Sequence, residues 1–320
     1  MSSVAVVGAG AWGTALAIQA ARAGSSVTLW ARDPERARAI GMSRENPRLA
    51  GHRVPDAVRI VDVLPAAADA VLLAVPMQYL RSVLARMPAS AAPLVVCVKG
   101  VETGTLRLPL EVVTELRANV SAAVLTGPNF AHEIAAGLPA AAVLAAADAS
   151  LRDTITALLV TPSFRLYGND DPVGAQVGGA AKNVIAIAAG AVIGAGLGEN
   201  ARAALITRGL AELSRLAVAL GGRAETVTGL TGIGDLLLTC TGPASRNYSL
   251  GLALGRGEAL ADVMAARSAV TEGVATAPAL VARAAGVDMP ICTAVADLLA
   301  GRTTLADAIG RLLARPRRNE

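Results

Sequence analysis

Two lysines are the first candidates for chemistry, because the chain otherwise uses arginine. Of its 29 basic residues, only Lys99 and Lys182 are lysines. An arginine stays protonated in proteins, whereas a lysine loses its proton when its surroundings lower its pKa. We therefore expect lysine to be kept where a proton is transferred or a compact ammonium is needed. The alternative is chance survival of two surface lysines.

Lys182 stands in an almost wholly apolar stretch, GGAAKNVIAIAAG. A lone ammonium in such surroundings needs a partner or a chemical role, which argues against chance. Asp235 is a similarly isolated carboxylate, because it lies between Gly234 and three leucines. We predict that Lys182 has a functional role, and that it pairs with Asp235.

Lys99 follows the apolar run PLVVCV, which predicts a buried strand. In open α/β folds, ligands bind beyond the carboxyl ends of such strands. Lys99 is therefore the second functional candidate.

The sequence GAGAWG places Gly8, Gly10 and Gly13 between a predicted strand and a predicted helix. In dinucleotide-binding folds the first glycine permits a tight turn and the second lets the backbone approach a pyrophosphate. The third lets the helix pack on the sheet, so that its positive end faces the anion. We predict that this loop binds NAD or NADP. A tight turn without a ligand is the alternative.

The choice between the two dinucleotides depends on the end of the second predicted strand, LWARD. Arg32 can accept the 2′-phosphate of NADP, whereas an acid at this point binds the ribose of NAD. Asp33 can instead cap the helix that begins at Pro34. Both interpretations stay open, and we favour NADP with NAD tolerated.

The histidines and cysteines are too few and too scattered to support a His–Asp proton relay or zinc-dependent dehydrogenase chemistry. The only histidines are His52 and His132, so a His–Asp relay has little support, and His132 is better explained as a residue at a helix start. No CxxC pair occurs among Cys97, Cys240 and Cys292, which argues against zinc and disulfides and indicates a reducing, cytoplasmic compartment. We predict no metal, and a nicotinamide reductase that uses lysine for proton transfer.

These residues must be positioned by two kinds of structure. Up to about residue 170, uninterrupted apolar runs such as SVAVVG, SVTLWA, AVLLAV and AAVLTGPN alternate with helical patterns, which indicates a mainly parallel sheet covered on both faces. Later residues are helical in period. We predict an α/β protein with a Rossmann-like, doubly wound N-terminal domain, residues 1–172, and an all-helical C-terminal domain, residues 173–320. The polar segment 42–56 is predicted to be a surface loop.

Composition bounds the class of ligand. Hydrophobic residues make up 53% of the chain, but the longest uncharged apolar run, residues 184–198, is shorter than the roughly 20 residues of a spanning helix, so no membrane span is predicted. A net charge of +4 suits a small anionic substrate, and the dispersed arginines argue against nucleic acid.

Glycine-rich helices in the second half favour a homodimer. The basic tail, expected to be solvated and frayed, holds Arg311, Arg315, Arg317 and Arg318.

Seven blocks of the sequence, in order, resemble bacterial NAD(P)-dependent glycerol-3-phosphate dehydrogenase. They are GAGAWGTALA, VKGVETG, LTGPNFAHE, GGAAKNVIAIAAG, NARAALITRGL, GLTGIGDLLLTCTGPASRN and AVTEGV. The resemblance implies reversible reduction of dihydroxyacetone phosphate to sn-glycerol 3-phosphate, the backbone precursor of phospholipids, with a lysine as proton donor and acceptor. A β-hydroxy acid dehydrogenase of the same two-domain build and a non-catalytic NADP-binding sensor are the alternatives.

The resemblance also assigns residues, with Lys182 as the catalytic one. The implied substrate contacts are Lys99, Gly127, Asn129, Lys182, Asp235, Ser245, Arg246 and Asn247. Together with the glycine loop residues Gly8, Gly10, Ala11 and Gly13, the cofactor set comprises Trp12, Arg32, Lys99, Ala131, Arg246, Val270 and Glu272.

Some positions depart from the family pattern or stay ambiguous. Ala11 replaces a frequent serine, and Asn129 replaces the serine of the GPSF motif, but both keep their backbone N–H groups. Residues 46–55, NPRLAGHRVP, depart from the usual NPRYLPG and receive no role. Asn183 is expected either to orient substrate or cofactor amides or to cap a helix. Glu272 is expected either to bind cofactor or to begin a helix.

Overall fold

The structure, a computed structural model, describes residues 2–267 and 270–315 of the 320-residue chain. It divides into two compact units. The first unit comprises the chain up to Lys99 and the segment Arg107–Gln176. The second unit comprises the short segment Gly100–Leu106 and the chain from Val177 onward. The sequence predicted a division after residue 172, and it did not anticipate that the short segment 100–106 belongs to the second unit.

The first unit is built on an eight-stranded sheet. Its strands are β1 (Ser3–Val7), β2 (Ser26–Trp30), β3 (Val58–Val61), β4 (Ala70–Leu73), β5 (Leu94–Val96), β6 (Ala122–Thr126), β7 (Ala140–Ala145) and β8 (Phe164–Asn169). The spatial order is β3-β2-β1-β4-β5-β6-β7-β8, and only β6 and β7 pair antiparallel. The mainly parallel, doubly wound sheet predicted from the sequence is confirmed.

Both faces of this sheet are covered. Along β1, Val4 and Val6 point into one cluster of buried side chains, and Ala5 and Val7 point into another. A strand that is buried on both faces is apolar at every position rather than at alternate ones. This is why the central strands are visible in the sequence as uninterrupted apolar runs.

The sequence did not reveal β3 and β8, which lie at the two ends of the strand order. In β3, with the sequence VRIV, only Val58 is buried and Arg59 is exposed. In β8, with the sequence FRLYGN, only Phe164 is buried. An edge strand faces solvent along much of its length, so it lacks the apolar run by which the inner strands were recognised.

Six α-helices and one 3₁₀ helix lie wholly within the described part of the first unit. They are α1 (Ala11–Arg22), α2 (Pro34–Ser43), the 3₁₀ helix Pro47–Leu49, α3 (Met77–Arg86), α4 (Pro109–Leu116), α5 (Ala131–Ala136) and α6 (Ala149–Leu159). His132 is the second residue of α5, as expected for a helix start. The prediction of a surface loop over residues 42–56 is partly wrong, because Asn46, Leu49 and Val54 are buried.

The second unit is helical, as predicted. Its helices are α7 (Pro172–Gly194), α8 (Gly198–Ala219), α9 (Ala224–Val227), α10 (Asp235–Cys240), α11 (Arg246–Gly255), α12 (Leu260–Ala265), α13 (Glu272–Arg283), α14 (Pro290–Leu299) and α15 (Leu305–Leu313). The division between the two units falls in the first turns of α7. A π-helical turn, Leu230–Gly234, leads into α10.

Glycines let α7 and α11 pack closely. A Cβ atom on Gly190 would clash with the carbonyl of Tyr248, and one on Gly194 would clash with the carbonyl of Leu252. These glycines therefore serve contacts within the chain, and they do not support the homodimer that the glycine-rich helices suggested.

Helix α7 is long and apolar enough to cross a membrane by length and composition alone. However, 83% of its most apolar 18-residue window is buried inside the protein. It is packed as a core helix is packed, and this accounts for its apolar sequence.

The basic tail is only partly described. Arg315 donates two hydrogen bonds to the carboxylate of Asp288, at 2.7 and 3.0 Å, and Arg311 lies in α15. Arg315 is therefore tied to the folded chain, contrary to the expectation of a frayed end. Arg317 and Arg318 lie outside the described residues.

Candidate active site

The three glycines of GAGAWG differ in what the chain itself requires of them. Gly8 has φ +120°, and a Cβ atom there would lie 2.7 Å from the carbonyl oxygen of Ala74. A Cβ atom on Gly13 would clash with the carbonyl of Gly8. Gly10, by contrast, has φ −75°, and nothing lies within 4 Å of the position of a Cβ atom. The protein fold does not need a glycine at position 10, so the open space there suits a ligand.

The N-terminus of α1 faces that open position. Gly10 is the N-cap and has no side chain to cap the helix, so the amide groups of the first turn lack a side-chain acceptor. Ala11 and Trp12 are the first two helical residues, and the indole Nε1 of Trp12 is buried without a hydrogen-bond partner. Helix N-termini of this kind bind phosphate groups. The loop therefore fits the pyrophosphate of a dinucleotide.

Arg32 and Asp33 both follow the end of β2, but their side chains make different contacts. Asp33 caps α2, because its carboxylate accepts hydrogen bonds from the amides of Glu35 at 3.0 Å and Arg36 at 3.5 Å. The capping alternative is therefore confirmed. Arg32 is exposed, and its guanidinium carbon lies 5.5 Å from the centre of the Tyr79 ring. An exposed guanidinium stacked on an aromatic ring is well placed to meet an anion.

Further predicted residues lie beyond β5 and β6. Lys99 lies past the end of β5, and its Nζ donates to the carbonyl of Gly127 at 3.3 Å. Gly127 has φ +131°, which favours glycine. Asn129 donates through Nδ2 to the carbonyl of Ala141 at 3.1 Å, while its Oδ1 is buried without a partner. The remaining predicted residue here, Ala131, begins α5.

The second unit contains a buried ion pair. Lys182 is 8% exposed and Asp235 is 0% exposed. The Nζ of Lys182 donates to Oδ1 of Asp235 and, at 3.0 Å, to Oγ1 of Thr239. The Thr239 hydroxyl in turn donates to the backbone carbonyl of Asp235 at 2.6 Å. The predicted pairing of Lys182 with Asp235 is confirmed.

Local sequence explains why this pair forms. Gly178 precedes Lys182 by one turn of α7, and the backbone of Thr231 and Gly232 packs against it so closely that a Cβ atom would clash. The π-helical turn Leu230–Gly234 is thereby held against α7, and Asp235 follows directly from it. Helical defects of this kind are frequent at functional sites.

Thr239 was missed by the sequence analysis, although a signal existed. It lies four residues after Asp235 on α10, so the two side chains share a face of that helix. The neighbouring thiol is chemically inert, because burial raises the pKa of Cys240 to about 12. The ammonium of Lys182, the carboxylate of Asp235 and the hydroxyl of Thr239 thus form one buried hydrogen-bonded cluster.

Asn247 connects three segments of the second unit. Its Nδ2 donates to Oδ1 of Asn183 at 2.9 Å, and its Oδ1 accepts from the backbone amide of Gly273 at 3.0 Å. Asn183 lies inside α7, directly after Lys182, so the helix-cap alternative for Asn183 is wrong. The amide pair fixes α7 beside the start of α11 and of α13.

The other predicted residues of this unit lie around the N-termini of α11 and α13. Ser245 caps α11, because its hydroxyl accepts from the amide of Tyr248 at 3.2 Å. Arg246 is exposed, and its guanidinium donates to the carbonyl of Val270 at 2.5 Å. Glu272 is the first residue of α13. Arg246 thus places a guanidinium at the N-terminus of a ten-residue helix, where two sources of positive potential suit a phosphate.

No group of three histidine, cysteine, aspartate or glutamate side chains that could hold a metal ion occurs within residues 2–267 and 270–315. All three cysteines are buried free thiols.

The sequence matches two parts of one protein family. Residues 3–152 match the NAD-dependent glycerol-3-phosphate dehydrogenase N-terminus, and residues 171–310 match the NAD-dependent glycerol-3-phosphate dehydrogenase C-terminus. Together the two matches cover most of the chain.

Relatives agree with these matches over the full length. A glycerol-3-phosphate dehydrogenase, NAD(P)+, from Acidiphilium cryptum is 57% identical over 318 residues, which are 99% of this chain and 98% of the relative. Its counterpart from Gluconobacter oxydans is 53% identical, over 98% and 97% of the two chains. A crystal structure of glycerol-3-phosphate dehydrogenase from Coxiella burnetii has 36% identity and a TM-score of 0.94, over 98% of this chain and 99% of that one. The predicted two-domain fold class is confirmed.

Proposed function

Because the chain belongs to the NAD-dependent glycerol-3-phosphate dehydrogenase family, we propose that it is the oxidoreductase that reduces dihydroxyacetone phosphate reversibly to sn-glycerol 3-phosphate with NADH or NADPH. The product is the backbone precursor of phospholipids. The observation that carries the proposal is Lys182, a buried lysine that is hydrogen-bonded to a carboxylate and a hydroxyl.

The first unit supplies the residues that hold the cofactor. The backbone amides of Gly10, Ala11 and Trp12, at the open position beside Gly10, bind the pyrophosphate. Arg32, which is exposed beside the Tyr79 ring, binds the 2′-phosphate, and this favours NADPH. The reduced nicotinamide supplies a hydride when it is bound.

Lys182 handles the proton. As the C2 carbonyl carbon of the substrate gains the hydride, negative charge grows on its oxygen, and the Lys182 ammonium stabilises that charge and then donates a proton to it. The product is the alcohol, and Lys182 is left as a neutral amine that solvent can protonate again. In the reverse direction the neutral amine removes the hydroxyl proton. A guanidinium cannot perform this exchange near neutral pH.

Asp235 and Thr239 hold the Lys182 nitrogen in place. The carboxylate compensates the ammonium charge, which makes its burial tolerable. The hydroxyl fixes the direction of a second N–H group. The two contacts thus fix the nitrogen from which the proton is transferred.

The substrate phosphate is bound by Arg246 together with the N-terminus of α11, which Ser245 and Asn247 flank. Lys99 adds a second positive charge for the anionic substrate.

We also propose a cytoplasmic location, supported by three buried free thiols. The homodimer stays a prediction.

A spectroscopic assay tests the proposal. NADPH mixed with the protein and dihydroxyacetone phosphate is expected to lose its nicotinamide absorbance, and the loss should not occur without the ketone. NADPH binding without turnover would indicate a sensor instead. Turnover of a β-hydroxy acid with NADP, but none of the phosphate ester, would indicate the other dehydrogenase class.

Arg246→Ala sharpens this test. Removing a charged partner of the phosphate is expected to lower kcat/KM for dihydroxyacetone phosphate by about 10²-fold. Arg256→Ala is the matched control, because Arg256 lies at the opposite end of the same helix, as its C-cap. An equal loss in both variants would argue against a phosphate site at the N-terminus of α11.

A further inference from the structure

We propose that Asn46 positions the backbone amide of the glycine loop that meets the cofactor pyrophosphate. Asn46 begins the segment NPRLAGHRVP, to which the sequence analysis assigned no role. Its side chain is 0% exposed, which is unusual for an amide in a connecting segment. The inference rests on the proposed binding of the pyrophosphate at the glycine loop.

Every polar atom of the Asn46 side chain is used. Nδ2 donates to the carbonyl of Ala9 at 3.1 Å and to Oγ1 of Thr14 at 2.6 Å. Oδ1 accepts from the amide of Arg48 at 3.1 Å and from the guanidinium of Arg36 at 3.0 Å. The same guanidinium also donates to the Ala9 carbonyl. Two donors thus converge on one carbonyl of GAGAWG.

The geometry of the peptide bond gives this contact a consequence. In a trans peptide the C=O and the following N–H point in opposite directions. The Ala9–Gly10 peptide is trans, so holding the Ala9 carbonyl towards Asn46 turns the Gly10 N–H to the other side. Thr14, one turn into α1, is bound by the same amide, so the helix and the loop share one support. Asn46 thereby fixes the direction of an N–H group before any ligand binds.

A purely structural role is distinguishable from this one. Arg44 supports the same segment by donating to the carbonyls of Val54 at 3.2 Å and Val58 at 2.9 Å, and also to that of Pro55. None of these bonds reaches the glycine loop. Arg44→Ala therefore loosens the segment without releasing the Ala9 carbonyl, and it serves as the matched control.

Two substitutions of Asn46 test the proposal. Asn46→Asp keeps the oxygen that accepts from Arg48 and Arg36 but removes the donor to Ala9. Asn46→Ala removes that donor without adding a charge. Dissociation constants for NADPH and for NADH are measured by nicotinamide fluorescence, alongside kcat at saturating cofactor and KM for dihydroxyacetone phosphate. Thermal unfolding of each variant shows that it is folded.

We expect both Asn46 variants to bind NADPH and NADH about tenfold more weakly, because the pyrophosphate is common to the two cofactors. We expect kcat and KM for dihydroxyacetone phosphate to change by less than about twofold, and Arg44→Ala to bind as the wild type does. Unchanged binding in both Asn46 variants, or an equal loss in Arg44→Ala, would overturn the proposal. Loss confined to NADPH would also overturn it, because the segment would then act at the 2′-phosphate.

Gly10→Val separates failure of this inference from failure of the proposed cofactor site. A Cβ atom at this position has no neighbour within 4 Å, so we expect the variant to fold and yet to block the pyrophosphate. If Gly10→Val abolishes binding while the Asn46 variants do not, only the role of Asn46 is wrong. If Gly10→Val binds both cofactors normally, the glycine loop is not the cofactor site, and the inference falls with it.

Discussion

The two lysines of the chain occupy different kinds of surroundings. Lys182 is buried in the helical unit, and its nitrogen is bound by a carboxylate and a hydroxyl. Lys99 is half-buried beyond the end of an inner strand, and its nitrogen donates to a backbone carbonyl. The loss of a proton changes the attraction of an ammonium to a carboxylate more than its attraction to a carbonyl, because the carboxylate carries a full charge. We infer that Lys182 exchanges a proton and that Lys99 contributes a positive charge.

These different surroundings give two different reasons why lysine, and not the arginine that the chain uses elsewhere, stands at both positions. At position 182 the side chain must be able to lose its proton, which a guanidinium does not do. At position 99 we expect the requirement to be a compact cation, which the larger, planar guanidinium meets only in part. Replacement by arginine therefore separates the two roles.

The largest effect is expected from Lys182→Arg. Arginine retains a positive charge beside Asp235, so the buried pair and the fold are preserved, while proton transfer is lost. We expect kcat for reduction of dihydroxyacetone phosphate to fall by about 10³-fold, with the dissociation constant for NADPH changed by less than about twofold. Steady-state kinetics and cofactor titration measure both quantities. A wild-type rate would show that charge alone suffices at position 182.

A smaller loss is expected from Asp235→Asn. The amide keeps the shape of the carboxylate but removes the negative charge that compensates the ammonium. We expect kcat to fall by about 10²-fold, and the basic limb of the pH–rate profile for reduction to move to lower pH, because the ammonium is no longer stabilised. Asp262→Asn, on the exposed face of α12, is the control. A profile that does not move would contradict the coupling of Asp235 to Lys182.

The smallest effect is expected at Lys99. Lys99→Arg keeps the charge and should raise KM for dihydroxyacetone phosphate by about tenfold or less, whereas Lys99→Met removes the charge and should raise it by about 10²-fold. The pH–rate profile should keep its shape in both variants. If Lys99→Arg is as inactive as Lys182→Arg, the distinction between the two lysines is wrong.

Much of the site was predictable because single residues violated their local pattern. Lys182 and Asp235 were recognised as charges within apolar sequence, and a buried charge requires a partner. The glycine loop was recognised by its spacing between a strand and a helix. In each case the signal that permits the prediction lies within a few neighbouring residues of the sequence.

The rest depends on contacts between distant parts of the chain. Asn46 meets the glycine loop 37 positions away, and Asn247 meets Asn183 64 positions away. Asn46 stands in a polar segment where an amide is common, so nothing in the local pattern marks it. Asn247 was predicted as a substrate contact, but its bond to Asn183 was not foreseen. The edge strands β3 and β8 were missed for a related reason, since their exposed faces remove the apolar run that identifies a strand.

The central claim is that Lys182 supplies a transferable proton and not merely a positive charge. Chemical rescue tests it most directly. Lys182→Ala leaves a space beside Asp235 and Thr239, into which small cations can be added from solution. Ethylammonium carries a charge and a proton that it can release, whereas tetramethylammonium carries a charge and no such proton.

Turnover of dihydroxyacetone phosphate by Lys182→Ala is measured with each added cation, under conditions in which NADPH binding is saturated. We predict that primary ammonium ions restore turnover, with a rate that varies with the acidity of the ammonium, and that tetramethylammonium restores none. Equal rescue by both cations would contradict the account, because a fixed positive charge would then be sufficient for the reaction.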